Sequence, residues 1–147
     1  MPETLPEDLL GVLTHVAASW IRLPGHDRVP LPVHVWITVE GLGTRKLHTP
    51  GAGAIGILDE TPHAGYRMGP HGTVEVECGT PVTLGERLGQ EIKQVGRLWG
   101  DPPGEEVGFV LHFEEGSVGI ANVADELTIA PWPDRSWSDW GLSIVGR

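Results

Sequence analysis

The chain runs one pattern twice. Thr4 to Trp20 (TLPEDLLGVLTHVAASW) aligns without a gap on Thr83 to Trp99 (TLGERLGQEIKQVGRLW), identical at six of seventeen positions. The match continues with VHVWITVE (Val33 to Glu40) over VGFVLHFE (Val107 to Glu114), and GTRKLHT (Gly43 to Thr49) over GSVGIAN (Gly116 to Asn122). A degenerate duplication of this size asks for two equivalent substructures that bury their apolar faces against each other.

The content of each unit fixes its type. Val107, Phe109, Leu111 and Phe113 alternate with Gly108, Val110, His112 and Glu114, as do Val33, Val35, Ile37 and Val39 with His34, Trp36, Thr38 and Glu40. Period two is the signature of a strand with one face in a core. Gly-Leu-Gly and Glu-Glu-Gly then make tight turns, and Thr44 to Thr49, Ala54 to Leu58, Ser117 to Asn122 and Leu127 to Ala130 supply further short strands. Thr4 to Glu7 and Thr83 to Glu86 read T-x-x-E, the pattern of a capping box, so a short helical turn is expected at the start of each repeat. Residues 83–99 fit either one helix interrupted by Gly85, Gly89 and Gly96 or a helical turn plus a strand near Glu91 to Trp99 bulged at Gly96. The balance favours the strand. The expected fold is mainly β: an antiparallel β-sandwich or partly open barrel built from two degenerate repeats. A single domain (1–147) is expected, with repeat 1 over about 4–62, a connecting strand segment over 63–82, repeat 2 over about 83–133, and a Trp-rich lid over 134–147.

Charge narrows the partners. The formal net charge is −10, from 20 acidic against 10 basic residues, which disfavours nucleic acid and anionic membrane surfaces. Between Arg97 and Arg135 there is no Lys or Arg, while Glu114, Glu115, Asp125 and Glu126 all fall there, so an acidic flank is expected that suits a basic protein partner. The lone Cys78 excludes an internal disulfide. The absence of a leader or a long apolar run points to the cytoplasm.

No motif identifies a reaction, and no cofactor is expected. GAGAIG (Gly51 to Gly56) has dinucleotide-site spacing, but Pro50 precedes it and Asp59 to Pro62 follow, which leaves no helix to receive a pyrophosphate. His63, His71 and Cys78 lack the paired spacing of a zinc site, so no metal is expected. EGSVG (Glu115 to Gly119) lies in a hairpin turn and is no nucleophile elbow. A Trp and a Val on the nominal solvent faces, Trp36 and Val110, mean that those faces are covered, by protein or by a partner. One alternative site is therefore a small-molecule or catalytic pocket between the repeats gathering His34, Trp36 and His112, with Glu114 beside them.

The stretches L-G-x-x-I-x-x-V (Leu88 to Val95), VGFVLHFEEGSVGIANVADEL (Val107 to Leu127) and MGPHGTVEVE (Met68 to Glu77) resemble small β-rich actinobacterial proteins, some associated with polymorphic toxins. The resemblance implies an immunity or interaction protein without catalytic residues. Glu114, Glu115, Asp125 and Glu126 would then meet a basic toxin surface. Trp132, Trp137 and Trp140 cluster beyond or at the end of the aligned repeat. They read as a lid packed over a sheet, with Trp36 a candidate contact, or as a recognition surface exposing Trp137 or Trp140 beside the acidic flank. A homodimer is also open.

Overall fold

The computed structural model describes residues 4–26, 28–51, 54–100, 106–134, 137 and 143–144. The chain forms an antiparallel β-sandwich whose sheets do not close into a barrel. A 3-10 turn at Pro6–Leu9 leads into β1 (Gly11–Arg22), followed by β2 (His34–Val39), β3 (Gly43–Gly51), β4 (Ala54–Leu58), β5 (Tyr66–Arg67) and β6 (Thr73–Cys78). One helical turn, Val82–Gly85, then opens the second half. It continues as β7 (Glu91–Ile92), β8 (Gln94–Trp99), β9 (Glu106–Phe113), β10 (Gly116–Val123), β11 (Glu126–Trp132) and β12 (Ser143–Ile144).

The first sheet has the order β4-β3-β2-β1-β6-β5, with β7 on the start of β1, and the second has the order β11-β10-β9-β8-β12. Both follow one plan: four strands meander back and forth, and a later strand pairs antiparallel with the first of the four, β6 on β1 and β12 on β8. Residues of the two aligned segments take corresponding places. Thr38 pairs with Thr44 as His112 pairs with Ser117. The two sheets are stitched where the chain passes from β7, on β1, to β8, on β9, at Lys93.

Alternation builds the core. Val35, Ile37, Val39, Leu13, Val16 and Ala18 of the first sheet face Phe109, Leu111, Phe113, Val118 and Ile120 of the second. Each fully buried aliphatic or aromatic side chain here is worth roughly 1.5–3 kcal/mol of transfer free energy. At one margin Arg97 donates to both carboxylate oxygens of Glu7 and to Glu106, tying the first turn of the chain to the second sheet. Charge-assisted bonds to Arg97 hold the Glu7 carboxyl below its ordinary range.

Several local expectations need correction. Neither Thr caps a helix: Thr4 accepts from Arg45 Nε, Glu7 is taken by Arg97, and the first turn is closed by Asp8 accepting from the Leu5 amide. The second turn has Pro81 at its N-cap and no side-chain cap. The register shift in β8 lies between Leu98 and Trp99, while Gly96 pairs regularly with Val110. The strand expected over Leu127 to Ala130 runs on to Trp132, with Pro131 paired to Val118, which an edge strand tolerates. The strand expected within residues 63–82 is present as β6, which pairs with β1 in the first sheet.

The lid covers the second sheet and not Trp36. Trp137, 1% exposed, packs with Val110, Ala121, Leu98 and Val107 on the outer face, and its Nε1 donates to Pro131 O at 2.7 Å. Its indole fits because position 119 is glycine: a Cβ there would stand 2.5 Å from Trp137 Cζ2. Gly119→Ala should therefore cost about 1–3 kcal/mol by overpacking, and Trp137→Ala about 3–5 kcal/mol. Urea unfolding midpoints test this, and an unshifted midpoint for Trp137→Ala would remove the structural role of the lid.

Candidate functional site

The two outer faces are finished differently. On the second sheet Trp137 seals the surface. On the first sheet the indole comes from the sheet itself: Trp36 stands between Ala17 of β1 and Lys46 of β3, 1% exposed. What covers it is the segment Asp59–Gly65, which leaves β4 at one edge and reaches β5 at the other. Five strand spacings of about 4.8 Å make a span of roughly 24 Å, close to the reach of the eight residue steps available. The segment is thus a nearly taut strap across the sheet. Glu60 on it pairs with Lys46 of β3 at 3.0 Å, and the His63 ring meets the Trp36 ring edge-on at 5.2 Å.

Beside the strap an apolar groove of about 480 Å³ remains open. Its floor is Ala17 and Trp36, and its walls are Pro62 on the strap and Cys78, Gly79 and Leu88 opposite. Hydroxyls gather at one end. Thr14 Oγ1 donates to Thr38 O at 3.2 Å, and the Thr38 and Thr44 hydroxyls share a hydrogen bond of 2.7 Å. A volume in this range with a mostly apolar lining and a few polar groups is what a small ligand or a partner's anchor side chain requires.

Histidines occupy the other side of Trp36. His34 lies 6.0 Å from Trp36 and 6.3 Å from His48, ring to ring. The His48 ring lies over Gly56, where any Cβ would collide with it at 2.4 Å. Burial lowers the pKa of His34 and of His48, and Lys46 pushes both the same way. His34 Nδ1 and Trp36 Nε1 are buried with no hydrogen-bond partner among the described residues. Leaving such groups unpaired costs about 1–3 kcal/mol each. Among the described residues no group of three or more His, Cys, Asp or Glu is placed to hold a metal.

The sequence-derived sites are redistributed. Glu114 and Glu115 form the β9–β10 turn, while Asp125 lies in the β10–β11 turn and Glu126 begins β11, at the opposite end of β10 and about 25 Å away at strand rise. They are exposed but do not make one flank, and Glu114 is paired with Lys93 at 3.3 Å. Trp137 is buried in the lid and offers no recognition surface, and Trp140 lies outside the described residues. His34 and Trp36 face out from the first sheet and His112 from the second, so no pocket between the repeats gathers them. His112 Nδ1 is 2.7 Å from Ser117 Oγ, a Ser–His contact. No carboxylate hydrogen-bonds this histidine among the described residues, and the equivalent register position in the other sheet holds Thr38 with Thr44. It reads as a cross-strand polar pair. The groove residues Thr14, Pro62, Cys78 and Leu88 were not anticipated; the one signal was Trp36 on a nominally polar face.

No protein family, curated protein or solved structure matches this chain. No helix among the described residues is long and apolar enough to cross a membrane.

The histidines set an acid limit. Burial also lowers the pKa of His112, so in all three the folded chain takes its proton at lower pH than the unfolded chain, whose reference value is 6.5. Their contribution is therefore whole above pH 6.5, declines as pH falls below it and levels off beneath the folded values. Urea midpoints should drop between about pH 7.5 and about pH 5.5, less steeply in His34→Asn and His48→Asn. A midpoint flat across that window would contradict the burial of these rings.

Proposed function

We propose that this protein is a non-catalytic protein-binding domain whose recognition surface is the outer face of the first sheet, around the groove floored by Trp36. The observation that carries this reading is the contrast between faces of one plan: the second is filled by Trp137, whose N–H is satisfied, and the first keeps an apolar groove beside an indole whose N–H is not. The occupant is an apolar side chain presented by a basic partner. Aromatic and aliphatic anchors seated in such pockets carry most of an interface's affinity. The charge of −10 accelerates encounter and selects the partner's sign without requiring the acidic turns at the contact.

Neutralisation of a toxin by occlusion is the biological form of this reading that the sequence resemblance favours, and the product of a neighbouring coding sequence is the partner to try first. The two sheets themselves we read as products of an ancient duplication, which left one face sealed and the other open. A second reading, a small-molecule carrier, draws on the hydroxyl cluster of Thr14, Thr38 and Thr44 at the end of the same groove.

Capture experiments with purified variants separate the surfaces. Leu88, 41% exposed at the groove wall, tolerates Leu88→Arg without a core defect. That variant should lose the partner at both low and high salt, by about tenfold or more in affinity. The double reversals Glu114→Lys with Glu115→Lys, and Asp125→Lys with Glu126→Lys, should slow association at low salt only. Retention unaffected by Leu88→Arg but abolished by either reversal would move the site to the hairpin turns.

A further inference from the structure

A second site lies at the far end of the first sheet, where β1, β6 and β5 run side by side. Arg22 pairs with Thr73 across one ladder, and Thr73 pairs with Arg67 across the next. The three residues therefore stand abreast in one row and project from the same face, with the two arginines about 10 Å apart at their Cα atoms. Above the row is a cleft of about 820 Å³ walled by the turns around Gly25 and Gly69, with His26 on its rim. Among the described residues no Asp or Glu lines it.

Arg67 is singular in its surroundings. Every other Lys and Arg among the described residues is held by a carboxylate or, for Arg87, by the Glu115 carbonyl. Arg67 has no ion pair, hydrogen bond or ring contact among the described residues. Arg22 is oriented by Glu75, which accepts from its Nε at 2.9 Å. Like charges flanking one position of a ladder repel. An anion seated between them turns that repulsion into two charge-assisted contacts, and a guanidinium offers its donors as a planar fork suited to paired oxygens.

We infer that the Arg22–Thr73–Arg67 row is a binding site for a small multivalent oxyanion, a phosphate ester or a polycarboxylate. The arginines take separate oxygens, the Thr73 hydroxyl donates to a third position between them, and His26 closes the open side. A long polyanion is excluded by the net charge of the rest of the molecule, which repels everything beyond the cleft. The site is independent of the groove, which lies toward the opposite end of β1 at Thr14 to Ala17.

The test uses the intact chain, titrated with pyrophosphate, with citrate and with acetate, while the amide resonances of His26, Gly72 and Thr73 are followed. The expected result is one-site saturation by at least one of the two multivalent anions, weakening as NaCl is raised, with acetate far weaker. Arg67→Gln and Thr73→Val should each raise the dissociation constant, about tenfold for the arginine, and Arg67→Lys should recover part of that loss. Saturation by pyrophosphate alone or by citrate alone identifies which oxyanion chemistry the row serves. The inference is overturned if neither anion saturates these resonances, if acetate binds as well as they do, or if Arg67→Gln leaves the titration unchanged. Arg67 is exposed on a two-residue edge strand, so loss of fold does not confound its substitution.

Discussion

A β-sheet has two faces, and packing two sheets together hides only one of each. This constraint organises the molecule. The inner faces are settled by period-two alternation, with Val35, Ile37 and Val39 meeting Phe109, Leu111 and Phe113. The outer faces are settled by chain that must travel anyway, because in each half a later strand returns to pair with the first. Residues of the connecting chain lie on each outer face, Asp59–Gly65 on the first and Trp137 on the second, and what they carry decides whether that face is closed. Trp36 and Val110 occupy the same aligned position, so the bulky ring belongs to the sheet in one half and to the crossing segment in the other.

Much of the architecture was legible because it depends on local periodicity. Most strand identities, the tight turns and the short helical turns follow from patterns a few residues long, whereas β1 (Gly11–Arg22), with no clean alternation, was not anticipated. The glycines that interrupt 83–99 also favoured a strand over a helix in 91–99, where β7 and β8 run. The capping boxes failed for a tertiary reason: Arg45 and Arg97 are stronger partners for Thr4 and Glu7 than free amides of a single turn. The acidic flank failed for a geometric one. Glu115 and Asp125 are ten positions apart in sequence, and that interval is filled by an extended strand, which places them at opposite ends of the molecule's second sheet. Trp36 was flagged as covered, but the path of Asp59–Gly65 and the approach of Leu88 are long-range facts that no local pattern encodes.

Electrostatics divide by range. At long range the net charge of −10 governs what approaches the molecule. At short range nearly every cation among the described residues is committed: Arg97 to Glu7 and Glu106, Lys46 to Glu60, Arg28 to Glu77 and the face of Trp20. Exposed pairs of this kind contribute little to stability individually, about 0–1 kcal/mol. Their role is to fix positions, holding the strap over Trp36 and the first turn against the second sheet.

The return of the last strand also has a consequence for how the molecule is made. Until residues 132–144 have left the ribosome, Val110, Ala121 and Leu98 form a bare apolar face and β8 an unpaired edge. The first sheet meets no such delay, since its crossing segment and β6 are synthesised before the second half begins. Of the two outer faces, that of the second sheet therefore stays bare later in synthesis than that of the first, which makes it the outer face that chaperones and proteases would read as unfinished.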